Sequence, residues 1–239
     1  MFSLFGRGRK QIVAPKLKPR NKATQTVNRV ALGELSPDLP RYLGQAAYLQ
    51  LSNFETITGA IAGSPTTHDK VALARVARIS LNKLEGLIAE IERGGDKPED
   101  LMEHFAAPVE RYRSTTRGND WYETVVTSYI TAGMLTDFFT ALAEGLPAAP
   151  RDRIVTLLTE NEPSPIIVEA LRSAIDAEPA LASRLALWGR RLVGDTLLMA
   201  RSSLEVPGGS TPDEARLEPI FTELIAAHTR RMDVLGLTA

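Results

Sequence analysis

At 239 residues and 44% hydrophobic, the chain can bury one sizeable core, with room for a small appendage. It has no cysteine, which excludes disulfides, thiolate metal sites and cysteine nucleophiles and suits a reducing cytoplasm. The net charge of −1 conceals an asymmetry: the first 33 residues hold eight basic side chains and no acid, which out of totals of 28 basic and 29 acidic leaves 20 and 29, or −9, for residues 34–239.

Residues 1–35 read as a basic, disordered tail carrying Arg7, Arg9, Lys10, Lys16, Lys18, Arg20, Lys22 and Arg29, with Pro15 and Pro19 and no periodicity. The opening MFSLFGRGRK lacks the order of a signal peptide, because its short apolar run precedes the charges. Phe2, Leu4 and Phe5 beside these cations suit an anionic surface, either the inner face of a membrane or nucleic acid phosphates. A solvated tail that binds nothing has the same composition.

Residues 36–239 then read as a single all-α domain of seven or so helices, with no strand pattern anywhere. Ser36-Pro37-Asp38 marks the first start, with Pro37 at the first helical position, and Leu43, Ala46, Ala47, Gln50, Phe54, Ile57 and Ile61 form its stripe. Gly63-Ser64-Pro65 ends it, and a second helix carries Leu73, Ala77, Ser80, Leu84, Leu87 and Ile91 inward before Gly94-Gly95. A short helix is expected from Lys97-Pro98-Glu99 to about Val109, then a polar loop over 111–119.

The stretch from Trp121 to Leu146 has Asp137 as its sole charge between Thr124 and Ala143, and it is apolar on two opposite faces. A helix of that kind is buried from both sides, so other helices surround it. Thr and Ser dilute it and its uncharged run is too short for a bilayer span. Helices over about 151–161 and 166–177 follow, broken by Pro163 and Pro165. Pro179 opens a helix with Leu181, Leu185, Trp188, Leu192, Asp195 and Met199 along one stripe. Thr211-Pro212-Asp213 starts the last, with Phe221, Leu224, Ile225, His228, Met232 and Leu235 inward.

RLALWGRRLVG at 184–194, AHTRRMDVLGL at 227–237, FAAPVERYRSTT at 105–116 and the TDFF of the central helix resemble a bacterial ferritin-like family. Its members are described as relatives of the tRNA hydroxylase that oxidises the isopentenyl group of a modified adenosine. The resemblance covers roughly residues 40–237 and implies a ferritin-like bundle with additional C-terminal helices. It also implies a di-iron centre, built from a Glu on each of two helices and a Glu-x-x-His on each of two others, since residues i and i+3 project side by side. Carried onto this chain, those positions fall on Gln50, on Ser80 and Lys83, on Ala132, and on Glu160 and Pro163. Glu160 alone retains a metal-binding side chain.

The bare sequence agrees, because Pro65, Leu101 and Ile225 stand three residues before His68, His104 and His228, so there is no Glu-x-x-His. The expectation is therefore no metal and no cofactor, with Lys83 paired to Glu160 where the ions would lie. Asp137 is expected to pair with an Arg or Lys, and Asp195 with His228. Arg190 and Arg191 beside Trp188 have the charge to grip phosphate, against a default of surface salt bridges.

Three functions remain open. The first is a non-catalytic binding or scaffold protein that has lost its di-iron site. The second is a tRNA-hydroxylase-like di-iron oxygenase whose ligands lie at other positions than these; separately, metal-free radical-carrying relatives of the fold with Gln, Ser and Lys in place of the carboxylates keep a catalytic role within range. The third is a peripheral membrane or nucleic-acid-associated protein acting through its tail. The partner is unknown, and a homodimer is compatible with the pattern.

Overall fold

The computed structural model describes residues 32–204 and 214–239, and every regular element among them is helical. Helix α1 spans Leu39–Ala62. Asp38 caps it, accepting from the Arg41 amide at 2.9 Å, so the start lies later than expected and Pro37 precedes the helix. Helix α2, Thr67–Arg93, begins on a reciprocal cap: the Thr66 hydroxyl accepts from the Asp69 amide at 3.1 Å and donates to its carboxylate at 2.7 Å. The short connection folds α1 and α2 into a packed pair.

Helix α3 covers Pro98–Thr115 and takes in most of the stretch expected to be a loop. Pro108 removes one amide donor without ending the helix. The next turn is tied down, because Val109 is fully buried and the Tyr112 hydroxyl lies 3.0 Å from Thr196 Oγ1. Helix α4, Trp121–Leu142, is the centre of the molecule, packed against α1 and four later helices. These are α5 (Ala148–Thr159), α6 (Ser164–Ala177), α7 (Pro179–Ser202) and α8 (Glu214–Val234).

Val125, Val126, Ile130, Met134, Phe138, Phe139 and Leu142 of α4 are all within a few per cent of complete burial. Each contributes about 1.5–3 kcal/mol relative to exposure, which makes α4 the chief organiser of the core. By length and composition the stretch Trp121–Gly145 would also cross a membrane, but 67% of its most apolar window is buried inside the protein. The end of α4 turns through a 3₁₀ segment, Ala143–Gly145, where Gly145 meets Gly33 backbone to backbone. A methyl group on Gly145 would collide with the Gly33 carbonyl oxygen.

Two other boundaries move. Leu32 and Leu35 are buried, so the packed body reaches into the segment assigned to the tail. The expected start at Thr211-Pro212-Asp213 lies outside the described residues, as does the tail through residue 31. On α8, Leu224, Met232 and the following Leu235 face inward, whereas Ile225 is 44% exposed.

Candidate functional site

Where α1, α2, α4 and the start of α6 converge, they enclose a cavity of about 30 Å³. Gln50, Ser80, Lys83, Ala132 and Pro163 all line it, so five of the six positions singled out by resemblance share one small space. A chain of hydrogen bonds crosses its wall. Ser128 Oγ on α4 donates to Asn53 Oδ1 on α1 at 2.7 Å, and Asn53 Nδ2 donates to Ser80 Oγ on α2 at 2.9 Å. Both hydroxyl residues are buried, so the chain holds three helices in one register.

Lys83 is 6% exposed. Its Nζ donates to the Leu158 carbonyl oxygen at 2.6 Å. That oxygen belongs to the last turn of α5, where carbonyls lack partners within the helix and the helix dipole favours a cation. Burial pushes the Lys83 ammonium below its ordinary pKa, partly opposed by the charge of Glu162.

The expected Lys83–Glu160 pair does not form. Glu160 follows the last residue of α5 in extended conformation, with φ −68° and ψ 149°, and its side chain is exposed. Asn161 then turns through a left-handed φ of 52°. The helix therefore ends before it can carry residues 160 and 163 as an i, i+3 pair, and Glu162 reaches the cavity rim instead.

The remaining candidates are dispersed. Asp137 pairs with Arg231 at 2.8 Å, half-exposed on the flank of α4. Asp195 and His228 do not meet. Asp195 lies near Tyr112, whose hydroxyl pKa is pushed up to about 12 by burial first and by Asp195 in smaller part. His228 is 3% exposed, and neither ring nitrogen has a partner among the described residues. Burial and the nearby Arg231 push its pKa down. Arg191 lies over the Trp188 ring at 5.1 Å and Arg190 donates to the Thr238 carbonyl at 2.7 Å, so both are engaged within the fold.

Asn53, Ser128 and Glu162 are site residues that the sequence pattern did not single out. Asn53 stands three residues after Gln50 and Ser128 four before Ala132, so one-turn spacing on the same helix faces carried the signal. Two buried carboxylates were also missed, and both serve structure. Glu90 accepts from both Arg153 Nε and Nη2 at 2.7 Å, a pairing that holds its pKa below the usual carboxylate range. Glu123 accepts from Arg184 at 2.8 Å and from the Asn119 amide at 2.9 Å.

Two irons need several carboxylates and imidazoles converging from facing helices. The cavity instead offers an ammonium, two amides and five hydroxyls (Ser80, Ser128, Tyr129, Thr136 and Ser164), with Glu162 as its one carboxylate. No group of three or more His, Asp or Glu among the described residues is placed to hold a metal. This donor set does not fit a di-iron centre.

A doubly buried central helix, flanking helices and a polar cavity between them define an all-α bundle of the ferritin-like class. Residues 38–205 match the family model described as a ferritin-like domain of actinomycetes, and the chain belongs to that family. No curated protein matches it.

Proposed function

We propose that this is a ferritin-like protein that works without a di-iron centre, in a binding or scaffold role, with the Lys83 ammonium standing where metal would otherwise sit. The supporting observation is the 2.6 Å bond from Lys83 to the Leu158 carbonyl inside a cavity bordered by Gln50, Ser80 and Ala132. A fixed cation there opposes a second one by Coulomb repulsion in a poorly screened interior. Descent from the tRNA-hydroxylase branch is part of the proposal, because that resemblance singled out these positions. We place the protein in the cytoplasm, where its cysteine-free composition is at home.

Melting tests the proposal. Thermal midpoints with and without a strong chelator coincide if the apolar core alone holds the fold, and a midpoint lowered by chelator overturns it. Any affinity for anionic lipid or nucleic acid is assigned to the basic N-terminal segment, and deleting residues 1–31 abolishes it.

A further inference from the structure

The hydrogen-bond capacity around Lys83 is unbalanced. An ammonium has three N–H donors, and Lys83 gives one to Leu158. Among the described residues it has no other acceptor and no ion pair, and Glu162 on the rim is exposed. Asn53 spends its amide nitrogen on Ser80 and its oxygen on Ser128. Ser80 Oγ is the acceptor in that bond, so its own proton remains to be donated. The Gln50 side chain, on the same wall, brings an amide NH₂ together with its acceptor oxygen. Two of the three Lys83 N–H donors therefore lack a protein acceptor among the described residues, on a side chain that is only 6% exposed. An ammonium in that position is costly unless a negative charge answers it.

We propose that the cavity binds one small monovalent anion of halide size, held by the Lys83 ammonium with the Ser80 hydroxyl and the Gln50 amide as further donors. This rests on the reading that lysine, not metal, occupies the site. The volume of about 30 Å³ admits one such ion, because roughly 10–15 Å³ by the same measure already holds a water. Phosphate and sulfate are too large. Further polar recesses adjoin the cavity. The cavity shares Gln50, Asn53, Ser128 and Ala132 with a neighbour of about 50 Å³. That neighbour shares Thr56, Arg113, Thr116 and Thr127 with an open recess of about 680 Å³.

Bromide is the probe. Crystals of full-length wild-type and Lys83→Met protein, soaked in sodium bromide, are measured at the bromine and iron absorption edges. A bromine peak beside Lys83 Nζ in the wild type and none in the variant is the expected result. No bromine peak and no iron peak in the wild type overturns the anion site and leaves the metal-free reading standing, with Lys83 answered by water or by Glu162 alone. An iron peak overturns both. In solution, the wild-type melting midpoint rises saturably with bromide against sulfate at equal ionic strength, while that of Lys83→Met does not. Equal responses in the two proteins also overturn the proposal.

Discussion

Lys83→Met is the most informative substitution, because methionine keeps most of the stem volume and removes the charge. Two terms oppose each other. The variant loses a charge-assisted hydrogen bond to the Leu158 carbonyl, worth about 1.5–3 kcal/mol. It also escapes the desolvation of a buried ammonium, an effective penalty of several kcal/mol. Because Lys83 makes no ion pair among the described residues and Glu162 opposes its desolvation only in part, the second term wins in a sulfate buffer free of small halides. The variant should be at least as stable as the wild type at neutral pH.

Lys83→Ala separates charge from packing, and should fall about 2–5 kcal/mol below Lys83→Met, as for other core truncations. The pH dependence has a definite sign. The folded-state pKa of Lys83 lies below the unfolded value, so between the two the unfolded chain holds more protons. Wild-type stability therefore gains from this group as pH rises through the folded pKa toward the unfolded 10.5. The advantage of Lys83→Met should be largest at neutral pH and shrink in alkaline buffer. Urea unfolding at pH 7 and pH 9.5 measures both effects. A Lys83→Met protein about 3 kcal/mol or more below wild type at pH 7 would refute the reasoning and make the lysine a net stabilising cap.

Asn53→Ala should cost about 1–3 kcal/mol in urea unfolding, since it breaks two hydrogen bonds and strands the buried hydroxyls of Ser80 and Ser128; a loss too small to resolve would mean water replaces the amide at no cost. His228 acts with the same sign as Lys83, in a more acidic window. Its folded pKa lies below the unfolded 6.5, so both states are neutral above 6.5 and stability falls as acid protonates the unfolded chain first. His228→Phe should flatten the decline between pH 7.5 and 5.5, and an unchanged slope would assign that decline to other groups.

The architecture was legible because its signal is periodic. The two apolar faces of the Trp121 stretch required a surrounded helix, and α4 packs on that pattern with Val125 and Phe139 on one side and Ile130 and Phe138 on the other. Cavity positions on single continuous helices, Gln50, Ser80, Lys83 and Ala132, came from the resemblance, and unbroken helical register brings them to one space. Glu160 was misplaced because register fails at a break. A helix that ends at Thr159 and turns through Asn161 exchanges Glu160 for Glu162, and a proline count does not reveal by how many residues. Asp195 and His228 were paired on stripe position alone. Tertiary packing instead sets one beside Tyr112 and leaves the other without a hydrogen-bond partner among the described residues.

Metal content tests the central claim most directly. Full-length protein purified from cells grown with ample iron and manganese, without chelators, should carry both far below one ion per chain by elemental analysis. The Lys83→Met protein should be equally free of them, because Gln50, Ser80 and Ala132 still supply no carboxylate. Stoichiometric iron or manganese in the wild type, retained through gel filtration, would contradict the account.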